Sequence, residues 1–217
     1  MRQSLLYFSM LMLPASANAD VELSFYGGLQ SAQPSVVSVY DANDNDNSND
    51  LVQWEGKSFS APPYYGIRAT IWSSSEFGYG LDFTHNKIYP KSLPPGYDRL
   101  EFTDGLNTLT VNAYRRWKNG IAGLTPYVGG GVGLAIPYVE VVRNVENAET
   151  SKTFEYQVTG PAVALIAGAS YPINNKWSVF GEYKSTYSQN KADLDDGSTL
   201  ETNIVTNAVN LGLSFRF

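Results

Sequence analysis

The stretch Asn207–Phe217 alternates with a period of two. Val209, Leu211, Leu213, Phe215 and Phe217 fall on one face, and Ala208, Asn210, Gly212, Ser214 and Arg216 on the other. Successive side chains of a strand point to opposite sides, so this pattern is that of a strand with one apolar and one small or polar face. A chain made of such strands has two ways to satisfy them. A soluble barrel or sandwich buries the apolar face. A membrane barrel turns that face to lipid and keeps the polar face inside.

The rest of the chain supplies more strands of the same kind. Asp20–Ala32 sets Val21, Leu23, Phe25 and Leu29 against Glu22, Ser24, Tyr26 and Gln30. Phe59–Trp72, Phe77–Tyr89, Leu106–Trp117, Thr125–Val142, Lys152–Tyr171, Lys176–Gln189 and Thr202–Phe217 complete a set of eight. The sixth changes phase at Gly160-Pro161, as a bulge would make it do. The connections alternate between long and short. Segments 33–57, 90–104, 143–151 and 191–197 read as loops, whereas 73–76, 118–123 and 174–175 read as tight turns. An even strand number, this loop asymmetry and aromatic residues near strand ends predict an all-β fold: an eight-stranded antiparallel transmembrane up-and-down β-barrel with short periplasmic turns and longer extracellular loops. A lipocalin-like barrel is the alternative; it would bury the apolar face and leave the opposite set outside.

Met1–Ala19 has the build of a secretory signal: Arg2, then the apolar run Leu5–Leu13, then Ala17-Asn18-Ala19. The run is too short to cross a bilayer as a helix. Residues 20–217 are then one barrel domain of a bacterial outer-membrane protein. The chain holds no cysteine, which excludes disulfides and thiolate chemistry. Nineteen glycines and fifteen tyrosines favour strands over helix bundles, and a net charge of -6 argues against a nucleic-acid partner.

Some candidate chemistry can be weighed from the residues alone. Asp41–Asp50 is acidic and low in complexity, but it lacks the glycine and terminal glutamate of a calcium loop and reads as a solvated loop. Gly129, Gly131 and Gly133 share one face of a strand, and no helical pattern follows them. They read as room for bulky lumen neighbours, not as a phosphate loop. Glu22, Arg68, Asp82, Arg116, Glu182, Lys184 and Arg216 all take the inward phase. Eight strands leave an interior that side chains nearly fill, so these charges are expected to pair into a plug. His85, the one histidine, continues the outward phase of Leu81 and Phe83 with Lys87 beyond it, at the height of lipid headgroups. Counting across the next connection puts Leu109 opposite His85. No serine lies on that face, which disfavours a Ser–His hydrolase.

Several stretches together resemble the lipid A oxidase family: Phe59–Arg68, Leu81–Lys87, Leu100–Trp117, Phe154–Pro161, Trp177–Asn190 and Leu200–Asn207. The aromatic C-terminal strand likewise resembles the closing strand of bacterial outer-membrane barrels. The resemblance implies an enzyme of the outer membrane that oxidises the proximal glucosamine of lipid A to 2-aminogluconate with molecular oxygen, releasing hydrogen peroxide. It carries no catalytic motif. On that reading His85, Asp82 and Glu182 are the acid–base or metal candidates, with a divalent metal as one conceivable helper of oxygen. Lys87, Arg99 and Lys184 are the candidate contacts to the phosphorylated disaccharide. The expected partners are lipopolysaccharide and outer-membrane lipids, and the expected state is a monomer. The alternative is a non-catalytic structural or adhesion-type barrel whose inner charges only stabilise.

Overall fold

A computed structural model describes residues 20–40, 47–102, 104–118, 120–143 and 151–217. The segment read as a signal peptide and the core of the acidic stretch, 41–46, lie outside the described residues.

Eight strands close a barrel. In order around the wall they are β1 (Asp20–Ala32), β5 (Tyr65–Trp72), β6 (Phe77–His85), β9 (Leu106–Arg116), β10 (Thr125–Arg143), β12 (Gly160–Pro172), β13 (Trp177–Asp193) and β14 (Thr199–Arg216). All their pairings are antiparallel, and β14 returns to β1 with Phe25 opposite Leu213, so the wall has no open edge. Outside the wall Phe25, Leu29, Ile67, Tyr79, Leu81, Val111, Val132, Leu165, Val209 and Leu211 are exposed. Inside it Ser24, Arg68, Thr70, Asp82, Thr110, Asn112, Glu182, Lys184, Asn210 and Ser214 are buried. The apolar face is outward, as in a membrane barrel and opposite to a lipocalin. Trp117, Tyr171, Trp177 and Phe217 ring the end at which Asp20 and Phe217 lie, where the Phe217 N–H donates to the Val21 carbonyl at 3.0 Å.

Two glycines make this interior possible. A Cβ on Gly66 would lie 2.0 Å from the Tyr26 ring, and one on Gly129 would lie 2.4 Å from the Tyr114 ring. Both aromatic side chains lie across the lumen in space that only hydrogen leaves open.

The structure departs from expectation beyond the apolar band. The second strand begins at Tyr65, not Phe59. Pro62 and Pro63 have no N–H to give a ladder, so pairing starts only after them. The segments read as loops contain strands: β2 (Ser35–Tyr40), β3 (Ser48–Val52), β4 (Trp54–Gly56) and β8 (Tyr97–Glu101); the third strand, read as Phe77–Tyr89, ends at His85, and its last residues belong to a separate β7 (Ile88–Pro90). The long sixth segment is two strands, β11 (Ser151–Tyr156) and β12, which pair with successive parts of β10. On the other side of β10, β8 takes over from β9. β2 takes over from β1 beside β14. The wall therefore continues past the apolar band into a folded cap.

In the cap the faces invert. Inward positions become apolar: Val37, Val39, Val52, Leu100, Val139, Val141, Ala192, Leu200 and Ile204 pack with Trp54, Ile88, Phe102 and Leu106 in one buried cluster. Outward positions of β13 and β14 become Gln189, Lys191, Glu201 and Asn203. Water now surrounds the strands, and the hydrophobic effect drives the apolar side chains inward.

Candidate functional site

The lumen at mid-height is held by an ionic network that ties opposite walls together. Arg68 on β5 lies directly across the ladder from Asp82 on β6 and donates from Nε to Asp82 Oδ2 at 2.8 Å. Its two terminal nitrogens reach across to β13 and grip Glu182 bidentately at 2.9 and 2.7 Å. Lys184 Nζ donates to Asp82 Oδ1 at 3.0 Å, to Thr84 Oγ1 at 2.6 Å and to the Tyr26 hydroxyl oxygen at 3.1 Å. Tyr26 donates to Asp82 at 2.7 Å, Tyr127 to Glu182 at 2.6 Å, and Asn210 Nδ2 to Glu182 at 3.1 Å. The four charged side chains are 0–4% exposed. Two positive and two negative groups, each with further hydrogen-bond partners, satisfy the condition under which buried charge is tolerated. Nearer the terminal end Glu22 meets Arg216 at 3.3 Å. A cavity of about 30 Å³ beneath Arg68, bounded by Trp72, Tyr114 and Arg116, has room for little more than water. With this network below and the apolar cluster above, the lumen is a filled core.

Asp82, Glu182 and Lys184 thus come together in one place. Lys184 is not at the rim, where a headgroup contact would need it; it is buried inside the wall, committed to Asp82. Sequence reasoning missed Tyr26, Tyr127 and Asn210 as members of the network, although each occupies an inward-phase position.

His85 is elsewhere. It ends β6 in the outward phase, three residues past the inward Asp82, and it shares no partner with the lumen network. The ladder puts Leu109 opposite Phe83 and Thr108 opposite Thr84, so the neighbour of His85 is Asn107 and not Leu109. The count failed because the connection between β6 and β9 contains β7 and β8, with arms of unequal length. The His85 imidazole meets Asn107 Oδ1 through Nδ1 at 2.8 Å and stacks on Tyr65 with ring centroids 5.2 Å apart. The Asn107 amide nitrogen donates to the Asp104 carbonyl at 3.4 Å, which aims its oxygen at the histidine. This arrangement suits a protonated Nδ1, and Nε2 is buried with no hydrogen-bond partner among the described residues. The ring is not spread on the surface as an outward histidine at the rim should be: it is 5% exposed.

Lys87 is likewise buried, at 3% exposure. Its Nζ donates to the Ala61 carbonyl at 2.7 Å, and its own carbonyl accepts from Gln30 Nε2. Of the three candidate headgroup contacts only Arg99 is on the outside. It sits on the cap wall, 2.6 Å from Glu140 and 3.3 Å from Glu101. Burial raises the Glu101 carboxyl above the ordinary carboxylate range, and Arg99 pulls in the opposite direction. As for a metal, no group of three or more histidine, aspartate or glutamate side chains among the described residues is arranged to hold one. The donor set around His85, an imidazole nitrogen with an asparagine and a tyrosine, does not make one either.

A family model described as "Outer membrane protein beta-barrel domain" matches residues 4–217. No curated protein matches the chain. Among solved structures, Neisserial surface protein A is similar, at 12% identity over 92% of this chain and 97% of that one, with a TM-score of 0.46. The outer membrane protein OprG from Pseudomonas aeruginosa is similar at 10% identity, over 92% of this chain and 95% of that one, with a TM-score of 0.49. So is the outer membrane protease OmpT from Escherichia coli, at 9% identity over 93% and 97%, with a TM-score of 0.48.

Proposed function

Because the chain belongs to the outer membrane protein β-barrel domain family, and so is a barrel of the bacterial outer membrane, we propose that it works from the outer wall as a lipid A-modifying oxidase. Its lumen is filled, so an activity carried by this barrel has to work from the wall or the cap. The observation that carries the reading is a convergence. Four of the stretches that resemble the lipid A oxidase family lie against one another around a single histidine. Tyr65 from the first stacks on His85 from the second. Asn107 from the third bonds it. Tyr156 from the fourth closes the neighbourhood by donating to the Asp104 carbonyl at 3.3 Å.

In this reading the substrate is already present in the outer leaflet and approaches laterally. The anomeric centre of the proximal glucosamine gives up two hydrogens to molecular oxygen, which leaves as hydrogen peroxide. Water then opens the resulting lactone to the 2-aminogluconate unit, a net gain of one oxygen. His85, bonded to Asn107 through Nδ1, is the group this reading assigns to accept the anomeric hydroxyl proton; its Nε2 is buried in the free protein, so the role requires the neighbouring segment to move aside when lipid A docks. Asp82, Glu182 and Lys184 serve the fold.

The test is expression in a bacterium that lacks such an oxidase and whose lipid A carries a free anomeric hydroxyl, followed by mass spectrometry of its lipid A. Gain of one oxygen on the proximal sugar, dependent on air and lost in His85→Ala, supports the reading. Unchanged lipid A from a folded, membrane-inserted barrel overturns it. The second reading, a structural or adhesion-type barrel, is favoured by the folded cap, whose packed apolar interior is more than an enzyme of the outer wall requires. Binding of the folded protein to host-cell or matrix surfaces, with lipid A unchanged, would select it.

A further inference from the structure

The lower lumen has one positive charge in excess. Of the seven inward charges, Arg68 and Lys184 are matched by Asp82 and Glu182, and Arg216 is matched by Glu22. Arg116 is left over. It is 4% exposed and makes no ion pair among the described residues. Its Nε donates to the Ser75 carbonyl at 2.9 Å, and its guanidinium lies over the Trp72 ring, 3.6 Å from the centroid. A carbonyl and a ring face soften a buried charge without cancelling it. Asp20 and Lys118, near Arg116 at the terminal end, add one charge of each sign and leave the excess as it is. A buried charge with no counter-charge is costly.

The same place is lined with donors that have no acceptor. The cavity of about 30 Å³ beneath Arg68 is bounded by Trp72, Tyr114 and Arg116. Trp72 Nε1, the Tyr114 hydroxyl and Arg116 Nη2 are buried, and none has a hydrogen-bond partner among the described residues. Buried polar groups are normally paired, so three orphans around one cavity call for an occupant. Ser24, Thr70 and Ser214 add hydroxyls to the wall. Glu22, the carboxylate that also borders the cavity, is held by Arg216 at 3.3 Å.

The geometry points to a binding site for one chloride-sized monovalent anion. Charge decides between an ion and a water molecule. Water would satisfy the donors but leave Arg116 uncompensated, whereas one halide does both. Size decides among anions. About 30 Å³ takes one or two water-sized spheres at about 10–15 Å³ each, which suits a monatomic ion and is too small for phosphate or sulfate. Indole N–H, phenol O–H and guanidinium N–H groups all donate, and a halide accepts from every side. The ion enters from the terminal end, where the Arg216 side chain is partly exposed. Once seated it joins the end of β5 to β9, as Arg68 joins β5 to β13. The site lies inside the barrel and holds whether or not the outer wall oxidises lipid A.

The test is urea unfolding of the purified barrel in lipid vesicles, followed by tryptophan fluorescence, with chloride replacing methanesulfonate at constant ionic strength. Once chloride exceeds its dissociation constant, the wild-type ratio of folded to unfolded protein should rise about tenfold for each tenfold rise in chloride. Arg116→Met should lose that dependence. Tyr114→Phe keeps the ring and removes one donor. It should need roughly tenfold more chloride for the same effect, the scale of one hydrogen bond to a charged group, and it carries the test if Arg116→Met does not fold. Bromide, located in crystals by its anomalous scattering, should give one peak in contact with Trp72, Tyr114 and Arg116. Wild-type stability that ignores chloride overturns the site. An unshifted chloride dependence in the folded variants overturns it too, because that is a general salt effect. A bromide peak with no effect of chloride in solution is an adventitious ion only and overturns it as well.

Discussion

Removal of Arg68 should be the most damaging single change in the lumen, and its cost should depend on what happens to Glu182. The guanidinium makes three charge-assisted hydrogen bonds, one to Asp82 and two to Glu182. In Arg68→Met both carboxylates stay buried, Lys184 neutralises only one of them, and the network carries an uncompensated negative charge. Breaking a buried pair from one side costs about 3–5 kcal/mol, and that is the expected loss. Glu182→Gln alone leaves the opposite imbalance, one excess positive charge, and should cost a similar amount. The double variant Arg68→Met/Glu182→Gln restores neutrality, with Lys184 and Asp82 still paired at 3.0 Å. It should cost no more than Arg68→Met alone, a coupling of at least about 3–5 kcal/mol. Urea unfolding in lipid vesicles, followed by tryptophan fluorescence, measures all four corners of the cycle. A loss under about 1 kcal/mol for Arg68→Met, or simple additivity in the double variant, would refute the claim that these charges form one compensated unit.

Leu200 is fully buried in the cap, so Leu200→Ala should cost about 2–5 kcal/mol; hydrogen exchange should speed up at cap amides such as those of Val37 and Val139 and stay slow at Val209 and Leu211. The filled lumen predicts no single-channel current in planar bilayers, and a steady conductance would contradict the packing described for it. Gly66→Ala would drive a methyl group into the Tyr26 ring, displacing a hydroxyl that serves Asp82 and Lys184; a loss of about 1–3 kcal/mol should appear in the same urea titration. The raised carboxyl of Glu101 means that the folded cap holds this proton more readily than the unfolded chain does. Its contribution is full in acid and declines as pH rises from the ordinary value of 4.5 through the folded one. Cap hydrogen exchange, corrected for intrinsic rates, should therefore show a stability fall with pH that Glu101→Gln flattens.

The barrel was legible in the sequence because the membrane imposes one rule on every strand that crosses it. Val209, Leu211 and Leu213 must face lipid and Asn210 must not, so a period of two reports the wall directly. The ionic plug was legible for the same reason, because inward charges in a filled lumen have to find each other; Arg116 is the exception, lying over the Trp72 ring with Nε donating to the Ser75 carbonyl at 2.9 Å. The cap was not legible. Val37, Val39, Val52 and Trp54 lie in short strands separated by polar residues, and their apolar side chains face inward where those of the barrel face outward. A rule learned in the band gives the wrong sign above it. The position of Lys87 shows the same limit. The alternation that placed it outside stops at His85, and the chain then turns so that Nζ reaches Ala61. The pairing of Leu109 with His85, counted across the β6–β9 connection, did not hold, because residue counting fixes register only when both arms of a connection have known lengths.

β10, β13 and β14 pass without interruption from the band into the cap, and the change of face happens within each strand. Consider β13 displaced by one residue against its neighbours. Glu182 and Lys184 would enter lipid, and in the same movement Ala192 would be turned out to water and Lys191 into the apolar cluster. Two solvents with opposite demands thus inspect the same register, at two heights of one rigid strand. A displacement by two residues keeps the faces correct, but it separates Glu182 from the fork of Arg68 and slides the cap side chains out of their layer. Each long strand therefore carries its own proofreading of alignment, and an assembly that passes at one height and fails at the other cannot close.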